Sequence, residues 1–357
     1  MPHIRISAMI HLPMIVCFLF LAALPARAAG GSTVTVESGG IRITITQPWS
    51  LSTSAESDGR DDLLTLTLYD EDEGVISGGG QVSAYSLQDD PLPNQEDVRR
   101  MDTEELSFLV DYFTKNYVKD SPEDGAGLPA VEEINGFAAI VVRTKRNTGD
   151  ASLHDFSFNY YFPSASKYVY LSLGMTGDDA AGGLLERIAA SFAPRTSSPA
   201  DMTTVRSDGM GVSCPRSWSA SAGGSINDPT WAILEKEDGN QRTIASVTVF
   251  SPVAAGTLPM GMEERLRAAH SILGTGADTK SITPLGTKQT TVGDFPATLT
   301  RMRVVVELES VKPAIVELRD IAVDDRIVTI ATRYTDTLSE KDNEELEAVH
   351  ASFTWAP

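Results

Sequence analysis

The chain states one segment twice, and this constrains its fold more than any other feature. Gly136-Phe137-Ala138-Ala139-Ile140-Val141-Val142-Arg143 returns as Asp294-Phe295-Pro296-Ala297-Thr298-Leu299-Thr300-Arg301. Each copy leads through a strand hairpin into a closing helix, running Leu185-Glu186 to Ser191-Phe192 in the first and Leu346-Glu347 to Ser352-Phe353 in the second. A duplication on this scale predicts two related domains of about 150 residues each, not one large core. We expect them at 32–194 and 209–357, joined by a linker at 195–208, where Ser, Thr and Pro gather without periodicity.

Ahead of the first domain lies a targeting segment. Arg5 supplies a positive charge, Met9 to Leu24 is almost wholly apolar, and Ala26-Arg27-Ala28 has the small-residue form of a cleavage site. The run is short and holds Pro13, so it predicts a cleaved signal over residues 1–28 and not a retained span. Cys17 follows Met14-Ile15-Val16, whereas a lipid-attachment motif needs a small residue just before the cysteine. We therefore expect a periplasmic or secreted protein with no stable membrane insertion after cleavage.

The formal charge is −20, and loss of the signal would remove two more positive charges, Arg5 and Arg27. Such a surface is soluble and repels phosphate, which disfavours nucleic acid and anionic lipid as partners. Cys214 would be the lone cysteine of the mature chain and has no internal partner for a disulfide. Its place in the alternating run Met210 to Cys214 predicts a small buried residue.

Side chains on a strand alternate between faces, so Ile41, Ile43 and Ile45 share one face, as do Leu64, Leu66 and Leu68. Gln95 to Tyr117 has helical spacing, with Asp102 and Glu105 placed as a capping box that would start the regular helix. Ala180 to Phe192, Met260 to Leu273 and a segment starting at Ser339 predict further helices. Each half thus reads as strands, helix, antiparallel strands, helix. That order predicts an α+β class: two similar domains, each a mostly antiparallel sheet whose apolar face is covered by helices.

An opening strand ending in Pro and Trp (Pro48-Trp49; Pro215 and Trp218), a mid-domain helix, a Gly/Asp-Phe-x-Ala strand, a meander and a last helix ending in Ser-Phe resemble the PsbP-like fold, in tandem. The likeness spans Ile41 to Pro194 and Met210 to Pro357, and the second copy fits better. That family includes the extrinsic PsbP subunits, Mog-type and DcrB-like proteins. The resemblance implies a binding or assembly role and brings no catalytic residue with it.

The residues themselves offer few reactive sets. His154 reads as a loop residue. His270 lies beside Leu266 and Leu273, and His350 stands where the first copy has Ala189. Ser164-Ala165-Ser166-Lys167 matches a Ser-x-x-Lys pattern, but it falls in a hairpin turn and lacks the companion motifs. Asp70-Glu71-Asp72-Glu73-Gly74 is a faint approach to a calcium loop without the far bidentate Glu, and no Cys/His set has zinc spacing. Two pairs recur at matching positions: Trp49 with Trp218, read as core anchors, and Arg143 with Arg301, read as guanidinium groups that snorkel or pair with an acid.

These six residues (Trp49, Trp218, Arg143, Arg301, His270 and His350) are the candidate binding positions. No catalytic residue, metal or cofactor is expected. The functional expectation is an exported, non-enzymatic binding or assembly protein of the cell envelope, with another envelope or secreted protein as partner. The alternatives are a hydrolase with its site between the domains, using His270 or His350, and a small-ligand or calcium-binding module.

Overall fold

The computed structural model describes residues 33–38, 41–46, 49–53, 62–70, 75–86, 93–117, 127–149, 152–164, 167–194, 202–207, 209–223, 230–240, 242–256, 279–306 and 313–356. The signal segment, the expected helix at 260–273 with His270, and the acidic turn at 71–74 lie outside them.

The first half runs β1 (Thr33–Ser38), β2 (Ile41–Thr46), β3 (Trp49–Thr53), β4 (Asp62–Asp70), β5 (Val75–Ser86), α1 (Gln95–Val98), α2 (Thr103–Tyr117), β6 (Ala130–Ile134), β7 (Phe137–Asn147), β8 (His154–Ser164), β9 (Lys167–Gly177), α3 (Asp179–Ser191) and β10 (Ala193–Pro194). The second runs β11 (Met202–Ser207), β12 (Met210–Pro215), β13 (Ser219–Gly223), β14 (Thr230–Glu237), β15 (Thr243–Phe250), β16 (Val253–Ala254), β17 (Thr279–Val292), β18 (Phe295–Val306), β19 (Ala314–Val323), β20 (Arg326–Thr335), α4 (Glu340–Ala351) and β21 (Thr354–Trp355). β11 lies within the stretch expected to be linker.

The expected α+β class, with helix-covered sheets, is overturned. Among the described residues the architecture is mostly antiparallel β, in two sheets. The smaller has the order β10-β2-β1-β11-β12-β21, and the larger the order β17-β18-β19-β20-β15-β14-β13-β3-β4-β5-β9-β8-β7-β6, with β16 beside β20. Both run through both halves. In the smaller sheet Val36 pairs with Val205, and in the larger Ala222 pairs with Leu51. Each order also reads alike from either end once first-half strands are matched to second-half strands, β1 to β11, β3 to β13 and β7 to β18.

The physical reason for the correction is what covers the apolar faces. β1 and β2 do not join the strands that follow them. Together with β11 and β12 they form a second sheet, and its buried face meets the buried face of the first. On β2, Ile41, Ile43 and Ile45 are buried while Arg42, Thr44 and Thr46 are half-buried. These isoleucines share one core with Leu51, Leu66, Val82, Leu171 and Val247 of the larger sheet. Each such burial contributes about 1.5–3 kcal/mol.

Helices are secondary in this scheme. α3 and α4 add Leu185, Ile188, Leu346 and Val349 to the same core. α2 covers the opposite face of β7, placing Leu106 and Phe113 on Ala138, Ile140, Val142, Tyr161 and Tyr170. That explains why Ala138 to Val142 is buried without alternation: Ala139 and Val141 face the shared core, their neighbours face α2. As its sequence predicts, α2 starts at a reciprocal cap. Asp102 Oδ1 accepts from the backbone N–H of Glu104 (2.9 Å) and Glu105 (3.0 Å), and Glu105 Oε2 accepts from that of Asp102 (3.0 Å).

The seam between the halves is tight. Gly223, at the end of β13, has φ +84°, and a Cβ there would fall 2.5 Å from the carbonyl oxygen of Trp49. Only glycine fits that approach without moving the backbone. Among the described residues, no helix is long and apolar enough to cross a membrane.

Candidate functional site

Trp49 and Trp218 are both fully buried in the shared core. Their surroundings differ. Trp218 Nε1 donates to Glu345 Oε2 (2.9 Å), which also accepts from Lys236 Nζ (2.6 Å). Trp49 Nε1 is buried with no hydrogen-bond partner among the described residues. Cys214 is buried too, and burial pushes its thiol up to about 12. An unreactive, protonated thiol follows.

Arg143 and Arg301 occupy matching places on β7 and β18, but their neighbours diverge. Arg143 Nη2 donates to Glu132 Oε2 (2.8 Å), and its other terminal nitrogen also meets that carboxylate. Its guanidinium lies 5.5 Å from the Phe158 ring and 5.7 Å from that of Tyr160. The hydrogen bond to Arg143 lowers the carboxyl pKa of Glu132, and burial pushes the Tyr160 hydroxyl up to about 12.

Arg301 instead heads a polar network. Its Nη2 donates to Tyr334 Oη (2.8 Å) and its Nε lies 2.8 Å from Glu317 Oε1. Tyr334 donates to the same Glu317 oxygen (2.9 Å). The second oxygen of Glu317 pairs with Arg319 Nη1 (2.8 Å). Arg319 Nη1 is also 2.7 Å from His350 Nε2, and Thr332 Oγ1 is 2.8 Å from that nitrogen. At the outer end Glu347 lies 3.6 Å from Arg319 Nη2 and 3.9 Å from His350 Nδ1. Glu317, Arg319, Thr332 and His350 are buried, whereas Glu347 is exposed and Arg301 partly so.

Strand register shows what this network replaces. Arg301 faces Glu317 and then Thr332 across β19 and β20, where Arg143 faces Phe158 and then Leu173 across β8 and β9. By the same register Arg319 stands for Tyr160, and His350 for Ala189. One half therefore fills the space with apolar groups and the other with two buried charges, a hydroxyl and an imidazole. Burying ions costs several kcal/mol each before pairing, and packed apolar side chains often serve stability as well or better. The first half shows that these strands and this helix assemble without the network.

Glu347, His350 and Thr332 stand in the order acid, imidazole, hydroxyl, the order of a hydrolytic triad. The hydrogen bonding does not suit that chemistry. A guanidinium can only donate, so Arg319 occupies the Nε2 lone pair and the imidazole proton sits on Nδ1. Nδ1 is buried without a hydrogen-bond partner among the described residues. Thr332 is 0% exposed, so its hydroxyl is closed to a substrate arriving from solvent. What the arrangement does is fix Arg301 and Tyr334 in place from below.

Of the six candidate binding positions, then, the network joins Arg301 and His350. Arg143 forms a separate cluster, the tryptophans lie in the core, and His270 is outside the described residues. The sequence reading does not single out Glu317, Arg319, Thr332, Tyr334 or Glu347. The repeat holds a signal for two of them: Glu317 and Arg319 alternate with Ile315 and Ile321 on a face where the first copy carries Phe156, Phe158, Tyr160 and Phe162. No set of three or more metal-ligating side chains groups together among the described residues.

His350 makes the network acid-sensitive. Burial lowers its pKa below the ordinary 6.5 and the Arg319 charge adds to this, against an opposing pull from Glu347. The unfolded chain takes up the proton first as pH falls, so this contribution is complete above 6.5 and declines as pH drops toward the depressed folded value. The urea midpoint of the protein should fall between about pH 7 and about pH 5.5, and His350→Gln should flatten that fall. An unchanged pH slope in the variant would contradict the assignment.

No family model matches the chain, and no curated protein matches it in sequence. Solved structures do match at low identity. The immunity protein TplEi of the T6SS from Pseudomonas aeruginosa is 11% identical, covering 91% of this chain and 97% of its own, with a TM-score of 0.33. Cyanobacterial PsbP (CyanoP) from Synechocystis is 13% identical, covering 49% and 98%, with a TM-score of 0.30. A crystal structure from Bacteroides thetaiotaomicron is 12% identical over 49% of this chain, at TM-score 0.28, and the match spans 53% of that protein. At such TM-scores these likenesses carry no weight for fold or function.

Proposed function

We propose that this chain is an exported, non-enzymatic binding protein of the cell envelope, acting through protein contacts at the face around Arg301 and Tyr334. The observation that carries the reading is the buried network in the second half. It replaces apolar packing with groups that hold one arginine and one tyrosine rigidly at the protein surface. Arginine and tyrosine are the side chains that most often dominate protein interfaces, and a pre-set geometry lowers the ordering cost of binding. Export rests on the apolar run and Ala26-Arg27-Ala28. The mirrored strand order supports a duplicated origin for the two halves, 32–194 and 209–357, which share both sheets.

A photoreactive side chain at position 303, next to Arg301 on β18, tests the role in the native envelope. The expected result is a discrete crosslinked product, reduced on the order of tenfold by Arg301→Ala. No discrete product, or one indifferent to Arg301→Ala, would sink the reading. N-terminal sequencing of the protein recovered from cells should begin just after Ala28.

A further inference from the structure

The long sheet ends in strands of unlike character. β6, at one end, has five residues, and its Glu132 and Glu133 are already paired with Arg143 and Arg99. β17, at the other end, has 14 residues and, among the described residues, pairs with β18 alone. Its side chains are exposed on both faces from Thr283 to Gln289. An outer strand with no second neighbour among the described residues presents a row of backbone N–H and C=O groups, a template for another strand.

Part of this edge is blunted. Pro284 has no N–H, and the register shifts between Pro284 and Gly286, where Gly286 has φ +120°. Beyond the bulge the ladder is regular, from Thr287 opposite Thr300 to Val292 opposite Phe295. That stretch matches the usual length of a strand, about 5–6 residues. Charge then selects the occupant. In a chain of net −20, residues 279–306 hold Lys280, Lys288, Arg301 and Arg303 against one acid, Asp294, and of these Arg301 and Arg303 are paired with Glu317 and Asp336. Lys288 is exposed and has no ion-pair partner among the described residues.

We infer that Thr287–Val292 accepts an added β-strand from an acidic, extended segment of a partner protein. This rests on the protein-binding reading above and gives it a partner chemistry. Backbone hydrogen bonds at every second residue supply the affinity, and carboxylates beside Lys288 supply selection.

The probe is a labelled peptide alternating valine and glutamate, about eight residues long, with a valine–lysine peptide as control, added to the full chain. The glutamate peptide should bind more tightly. Amide exchange should slow at alternate residues of Thr287–Val292, and Lys288→Glu should weaken binding on the order of fivefold. Equal binding of both peptides would overturn the acidic preference. Absent binding, or protection that is even along β17 or lies elsewhere, would overturn strand addition. If a crosslink that depends on Arg301 still forms in that case, the binding role stands and only the edge assignment falls.

Discussion

Replacing Arg319 by alanine should lower stability by about 3–5 kcal/mol, the range for removing one partner of a buried ion pair. The guanidinium ties Glu317 to His350, at 2.8 Å and 2.7 Å. Without it Glu317 keeps Arg301 and Tyr334 but loses its partner on the second oxygen, and His350 Nε2 keeps only Thr332. A substitution of ordinary packing character would cost far less. The companion experiment installs the first-half residues together: Glu317→Phe, Arg319→Tyr, Thr332→Leu and His350→Ala. That variant should be at least as stable as the wild type, because an apolar set replaces the charges as a group. It should also weaken the crosslink at position 303, since Arg301 then loses Glu317 and keeps only Tyr334. Urea unfolding checks both. A loss under about 1 kcal/mol in Arg319→Ala, or a collapse of the four-residue variant, would contradict the account.

The second large effect concerns cooperativity. Trp49→Ala and Trp218→Ala should each destabilise by about 3–5 kcal/mol, the cost of emptying a core aromatic site. Trp218 should fall toward the upper end, because its removal also leaves Glu345 without the indole hydrogen bond. Two separate domains would respond separately: calorimetry would show two transitions, and each variant would shift one. The sheets argue otherwise. β1 pairs with β11, β3 pairs with β13, and both tryptophans belong to one core. One transition should therefore be seen in the wild type and should move in either variant. Two transitions, with only one displaced by Trp49→Ala, would show that the shared strands do not couple the halves.

Much of the local structure is legible in the sequence. Ile41, Ile43 and Ile45 mark a buried strand face by their spacing, and Asp102 with Glu105 marks the start of α2. Such features depend on residues a few positions apart, and backbone geometry alone relates them. The α+β class fails because alternation reports that a face is covered but not by what. A helix stripe and a second sheet satisfy the same apolar face equally well. The network is hidden for a related reason. Glu317 and Arg319 stand near each other in the chain, but Arg301, Thr332, Tyr334 and His350 reach them only through strand register and the seating of α4.

The sequence by itself determined the periodicities, the caps, the duplicated segment and the acidic balance, since all follow from neighbouring residues or from composition. Tertiary structure decided that β1 and β2 leave the strands that follow them, and that β1 pairs with β11 to build a covering sheet across the halves. It also decided that one copy would close its core with aromatic rings and the other with buried charges. Both outcomes depend on which surfaces exclude water together, and that is a property of distant segments meeting, which no local pattern encodes.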